Sequence, residues 1–174
     1  MPAAKVIRLN YEQYQELTMT DIEYSLRRAT IEDTAKVTAL VNAAYRHYIE
    51  RIGMLPRPMT DDYAEVIRNS RVTVVERDQS IVGVIVMMVT DEGFLIDNVA
   101  VDPAYRGKGV GKALLTFAEA EARRAGFDSL YLYTHEKMIE NLALYARIGY
   151  VEYDRRSQGD FSLVYMRKQQ THST

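Results

Sequence analysis

The sequence contains no cysteine. That absence removes disulfides, thiolate metal sites and any thiol nucleophile, so acyl transfer through an acyl-cysteine intermediate is excluded. Histidine is scarce. His47, His135 and His172 lack ligand-like spacing with carboxylates, so no metal is expected. Long apolar runs are missing too. The longest, from Ile81 to Val89, contains Gly83 and is about half of the roughly 20 residues that a membrane helix needs. It reads as a buried strand, and no membrane partner is expected. Nor is there an excess of one charge: 22 Lys plus Arg face 24 Asp plus Glu, so the net charge of −2 gives no overall field to draw nucleic acid. The first 20 residues carry Lys5 and Arg8 with no uninterrupted apolar stretch after them. That argues against a secretion signal and makes a cytoplasmic location the expectation.

What is present suits one globular domain: 174 residues, 47% apolar and 26% charged. We expect an N-terminal extension over residues 1–22, a domain over 23–168 and a loose tail over 169–174. Residues 23–29 read as a strand. Thr30 followed by Asp33 resembles a helix cap, and apolar positions at three- and four-residue steps predict a helix running to about Ile52, stopped by Gly53. Thr60 is the expected cap of a second short helix over 61–70. Three strands follow (72–77, 80–90, 94–101), with turn chemistry at 78–79 and 91–93. The apolar set Val110, Leu114, Phe117, Ala118 and Ala122 gives a helix over 110–125. A strand over 130–134, a helix over 138–148 and a hairpin of 150–153 with 161–167 complete a mixed α/β order, β-α-α-β-β-β-α-β-α-β-β.

A strand ending at Val101, a turn at Asp102-Pro103, three glycines within five residues and then a helix describe a backbone built to be approached closely. Side chains absent at Gly107, Gly109 and Gly111 let successive N–H groups converge on phosphate oxygens, and the helix start adds partial positive charge. Arg106, Lys108 and Lys112 add full charges. A Walker A loop fails because Arg106 and Ala113 stand where a glycine and a hydroxyl are needed. A dinucleotide fingerprint fails because Lys112 replaces its last glycine.

The segment from Asn98 to Leu115 resembles the signature of the GCN5-related N-acetyltransferase (GNAT) family. Arg106, Gly109 and Gly111 meet its R-x-x-G-x-G, and Asn141, Tyr145, Gly149 and Tyr150 meet its second motif. The resemblance implies a largely antiparallel mixed sheet, splayed between its fourth and fifth strands, with about four flanking helices. It implies acetyl-CoA as cofactor, with Val99, Ala100 and Val101 along the pantetheine arm, the amides of Gly107, Lys108, Gly109, Val110, Gly111 and Lys112 on the pyrophosphate, and Asn141 on the far side of the arm.

An acceptor amine with a pKa of about 10.4 is mostly protonated near neutrality, and freeing its lone pair costs about 4 kcal/mol. Asp97 stands where many family members carry Glu and is the candidate base; its other reading is an exposed or structural strand carboxylate. Tyr145 matches the tyrosine that protonates the sulfur in the family, and its other reading is ring packing. The amide of Val99 is the candidate to polarise the acetyl carbonyl. Acceptor recognition is expected from Tyr45, Tyr48, Arg57, Met59, Asp62 and Tyr63 on the first helices and their loop, with His135 at a strand end, although Tyr45 and Tyr48 also fit an apolar stripe. The expected partner is a small-molecule or protein amine, a homodimer is compatible, and the rival reading is a CoA-binding sensor of the same fold that transfers nothing.

Overall fold

The computed structural model describes residues 24–171, together with the backbone of 6–9 and 17–18. Glu23, His172 and most of the N-terminal extension lie outside the described residues. The elements are β1 (Val6–Leu9), β2 (Leu17–Thr18), β3 (Tyr24–Arg28), α1 (Thr34–Tyr45), α2 (Tyr48–Ile52), α3 (Tyr63–Asn69), β4 (Arg71–Arg77), β5 (Ser80–Thr90) and β6 (Gly93–Val101). They continue with α4 (Val110–Arg124), β7 (Ser129–His135), α5 (Ile139–Arg147), β8 (Val151–Gln158) and β9 (Phe161–Gln169). The strands form one sheet in the order β2-β1-β3-β4-β5-β6-β7-β9-β8. Only β1 with β3 and β6 with β7 run parallel. No helix among the described residues is long and apolar enough to cross a membrane.

Side-chain alternation along the central strands divides the core in two. Val72, Val74, Val84 and Val86 face Val37, Leu40, Val41 and Ala44 of α1. Val75, Ile85, Met87 and Ile96 face Val110, Leu114, Phe117 and Ala118 of α4, with Tyr145 of α5. The helices therefore sandwich the sheet, which explains why β5 reads as a nearly continuous apolar run. Gly83 is where α4 comes closest: a Cβ there would lie 2.8 Å from Val110 Cγ1 and 3.2 Å from Leu114 Cδ1.

Four sequence expectations need correction. The first helix is broken at Arg46 and His47 into α1 and α2 before Gly53, at φ 84°, ends it. Asp62 rather than Thr60 caps α3, its carboxylate accepting from the Ala64 amide at 2.9 Å, while Thr60 Oγ1 donates to the Arg57 carbonyl. The final hairpin is much longer than its apolar core, because β8 is an exposed edge written in Glu, Asp, Arg and Ser, and burial periodicity cannot mark such a strand. Of the tail expected to be loose, Gln169 belongs to β9 and Gln170 is held, its amide donating to the Asp128 carbonyl at 2.8 Å and its side chain accepting from Arg123 at 2.6 Å, while 172–174 lie outside the described residues.

Candidate active site

The parallel pairing of β6 with β7 lasts three residues, Phe94↔Leu130, Leu95↔Tyr131 and Ile96↔Leu132. From Asp97 to Val101, β6 has no partner strand on that side, while pairing with β5 continues to Gly83↔Val101. The sheet thus forks. A register shift between Val86 and Met87 leaves Asp97 as the extra residue of a β-bulge, a device that re-aims a side chain. At the fork Tyr133 of β7 donates its hydroxyl proton to Asp97 Oδ1 at 2.6 Å, and Arg57 donates to the Tyr133 hydroxyl at 2.7 Å. Burial, then the neighbouring Asp97 charge, pushes the Tyr133 phenol up, so it stays a neutral donor.

Above the fork lies a large open cleft between the unpaired end of β6, the loop before α4, and α5. Val99, Ala100, Val101, Arg106, Gly107, Gly109, Val110, Gly111, Lys112, Asn141 and Tyr145 all line it, as does Tyr48. Lys108 does not: its ammonium lies over the Tyr105 ring, 5.1 Å from the centroid. Gly107 and Gly109 sit at φ 71° and 84°, a backbone that favours glycine. The first intrahelical bond of α4 runs from the Ala113 amide to the Gly109 carbonyl at 3.0 Å, which leaves the amides of Val110, Gly111 and Lys112 without an intrahelical acceptor. Arg106 reaches across the cleft, donating to the Ala44 carbonyl at 2.8 Å at the end of α1. An Arg51–Glu140 pair at 2.6 Å ties α2 to α5. Tyr145 is buried with its ring against Tyr150, and its hydroxyl makes no hydrogen bond among the described residues. Burial, then the neighbouring Tyr48, pushes its phenol well above the usual tyrosine range. The Asn141 side chain makes only a long contact among the described residues, from Nδ2 to Met138 Sδ at 3.7 Å. Free amides at one end, an unpaired strand edge along the side and a free phenol at the fork fit an extended acyl carrier with phosphates at one end.

On the other side of the fork is a smaller, partly open cavity. Of the residues expected to meet the acceptor, Tyr45, Arg57 and His135 line it, and so does Asp97. The others are elsewhere. Tyr48 faces the larger cleft, with the His47 ring 3.8 Å from its own. Met59 packs against the α1 side of the core, and Asp62 is spent on capping α3. Tyr63 is buried, donating to the Pro58 carbonyl at 2.7 Å and accepting from Asn98 Nδ2 at 3.1 Å. Asn98 in turn accepts from the Tyr45 hydroxyl at 2.6 Å, so a buried chain runs from β6 to the loop before α3. His135 is buried at the end of β7, and its Nδ1 accepts from the Lys137 amide at 3.1 Å. Burial pulls its pKa down, which keeps it neutral. Sequence reasoning missed Asp61, Tyr133, Gln158, Phe161 and Leu163 on this cavity. The alternation of β7 could have drawn out Tyr133, whereas nothing in the sequence brings β8 and β9 to the fork.

The chain matches the family model of the acetyltransferase (GNAT) domain over residues 68–152. It is 30% identical over 138 residues to the uncharacterised N-acetyltransferase YjgM of Escherichia coli, covering 74% of this chain and 83% of that protein. Among solved structures it is similar to the PaiA N-acetyltransferase of Thermoplasma acidophilum in complex with coenzyme A, with a TM-score of 0.71 and 17% identity over 84% of this chain and 98% of that one. It is also similar to YncA of Salmonella typhimurium with its cofactor acetyl-CoA, with a TM-score of 0.65 and 21% identity over 86% and 95% of the two chains. The forked sheet, the glycine loop at the start of α4 and the relationship to YjgM agree: the chain belongs to the GCN5-related N-acetyltransferase family and is an acetyl-CoA-dependent acyltransferase.

Proposed function

We propose that the protein acetylates a primary amine of a small molecule by direct transfer in a ternary complex. One observation carries this reading. The large cleft and the smaller cavity meet at a single residue, Tyr45, which lines both, so a carrier in one and an amine in the other would face each other across the fork. The smaller cavity's lining of apolar side chains with a few convergent polar groups, Arg57, Asp97, Tyr133 and His135, is of the kind found at small-molecule sites.

Acetyl-CoA supplies a thioester whose acetyl carbon accepts the amine lone pair as the C–S bond breaks and sulfur leaves as thiolate. The amides of Val110, Gly111 and Lys112, with the Lys112 charge, hold phosphate. The free edge of β6 at Val99 to Val101 and Asn141 of α5 hold the arm. A phenol pKa of about 10 lies above the thiol's at about 8.5 even before burial raises it, so full proton transfer from Tyr145 to sulfur is uphill. Tyr145 is assigned as a hydrogen-bond donor to the departing sulfur, and the proton that completes the thiol comes from solvent. Asp97 keeps one oxygen on Tyr133, and its second takes the amine proton directly or through water. His135 is not the base, because its Nδ1 is already an acceptor and the neutral ring carries its proton on Nε2.

The test is thiol release from acetyl-CoA with a panel of primary amines and a short peptide, with the product mass measured. Amine-dependent release, N-acetylated product and intersecting initial-velocity lines are expected. Parallel lines, or a protein that becomes acetylated without amine, would reject direct transfer.

A further inference from the structure

The small cavity contains two carboxylates and only one cation, and the cation is already committed. Arg57 donates to the Tyr133 hydroxyl at 2.7 Å and lies over the Tyr133 ring, 5.7 Å from its centroid; it makes no ion pair with Asp61. Asp97 has its own donor in Tyr133. Asp61 has none among the described residues, although it is partly buried against the cavity. It stands between the turn 57–60 and the cap residue Asp62, on a different segment from the fork. Burial, then the nearby Asp97, pushes its carboxyl up, and Arg57, held on Tyr133, offsets this only in part, so the cavity is short of positive charge. The rest of the lining is apolar or neutral: Ile52, Pro56, Met138, Phe161, Leu163 and the neutral His135.

The reacting nitrogen has to be neutral when it attacks, so it cannot supply the missing positive charge at Asp61. Asp97, one residue from Asn98 on β6, is the carboxylate placed to face that nitrogen. A carboxylate facing an apolar cavity without an ion-pair or hydrogen-bond partner is costly, and a permanent cation carried by the ligand reduces that cost. We propose that the acceptor is an amine bearing a second positive charge across a short apolar spacer, and that Asp61 is the residue that selects it. A carboxylate in that second position would be repelled by Asp61, so amino acids of the same length are poor acceptors. This rests on the small cavity being the acceptor site.

The experiment compares cadaverine, pentylamine and 5-aminopentanoate, which share one reacting amine and differ at the far end. Two readouts are taken on the wild type and on Asp61→Asn: kcat/KM in thiol release, and binding to the CoA-loaded protein by calorimetry. In the wild type, cadaverine should exceed pentylamine by about tenfold or more in both readouts, and 5-aminopentanoate should be poorest. Asp61→Asn should remove most of that preference while pentylamine stays within about twofold, as a specificity role requires. Equal binding of cadaverine and pentylamine by the wild type, or a preference that survives Asp61→Asn, overturns the proposal. A binding preference that depends on Asp61 without turnover of any amine would leave the assignment of Asp61 standing and overturn the acetylation reading instead.

Discussion

The two halves of the site are made of different materials. The cleft is mostly backbone: amides at the start of α4, an unpaired strand edge and glycines at positive φ, with the buried Tyr48 and Tyr145, whose hydroxyls make no hydrogen bond among the described residues. The cavity is side chain from separate segments: α1, α2, the loop 56–61, β6, β7, Met138 before α5 and the β8–β9 hairpin. Backbone geometry is written in consecutive residues and repeats wherever the same carrier is bound. A cavity assembled from distant side chains can change its lining one residue at a time without disturbing the other half.

The sharpest way to break this contrast is Gly109→Val. The left-handed backbone at φ 84° and the space next to the amides proposed to hold phosphate should both reject a side chain. Acetyl-CoA affinity, measured by calorimetry, should fall about a hundredfold or more, roughly 3 kcal/mol. Unchanged affinity in a folded variant would remove the loop from the site. Tyr145→Phe comes next, since it keeps the ring and removes one donor to a charged sulfur. A loss of about 1.5–3 kcal/mol predicts that kcat drops by about 10- to 150-fold while acetyl-CoA affinity stays within about twofold.

On the acceptor side, Asn98→Leu removes the bonds to Tyr45 and Tyr63. We expect about 1–3 kcal/mol of lost stability in denaturant melts and a rise in acceptor KM larger than any change for acetyl-CoA. If both substrates suffer equally, the two halves are not separable. The start of α1 has its own acid sensitivity. Arg27, bonded at 2.7 Å, and the Thr30 amide hold the Asp33 carboxyl down at about 2. A depressed carboxyl contributes stability above its unfolded pKa of about 3.9 that is lost as pH falls through its folded value. About 2 kcal/mol should therefore disappear between roughly pH 4 and pH 2. Asp33→Asn should flatten that limb of a pH-dependent melt.

The smallest effect is the most discriminating. Gly111 needs no unusual φ, and a Cβ there would meet only Val101 Cγ2 at 3.6 Å, an ordinary contact. Gly111→Ala should raise helix stability by about 0.5–1 kcal/mol, visible as a higher Tm, yet weaken acetyl-CoA by about tenfold. A variant that gains stability and keeps its affinity would mean that carrier and helix never come close at that position.

The same division governs what could be read from the sequence. The glycine run from Gly107 to Gly111, with Asn141 and Tyr145, fixed the family and the cleft, because local backbone needs leave local residue signatures. Tyr48, Met59, Asp62 and Tyr63 were grouped as an acceptor wall from their position in the chain. Helical phase instead turns Tyr48 toward the larger cleft, and a capping requirement claims Asp62. Asp61, its immediate neighbour, escaped notice because nothing local separates a carboxylate that caps from one that faces a cavity. Phe161 and Leu163 escaped because their place depends on β9 lying against β7 through seven paired residues, a long-range event invisible in periodicity.

Gly83 bears on the cleft from a distance. It never meets the carrier, yet any side chain there would wedge against Val110 and Leu114 and lift the very turn whose amides must converge. Position 83 works as a spacer of zero thickness. The alignment of the free amides at the start of α4 is set by a clearance in the sheet 27 residues before the first of them, at Val110. In this protein a signature loop is in tolerance only if a residue outside the signature has no side chain.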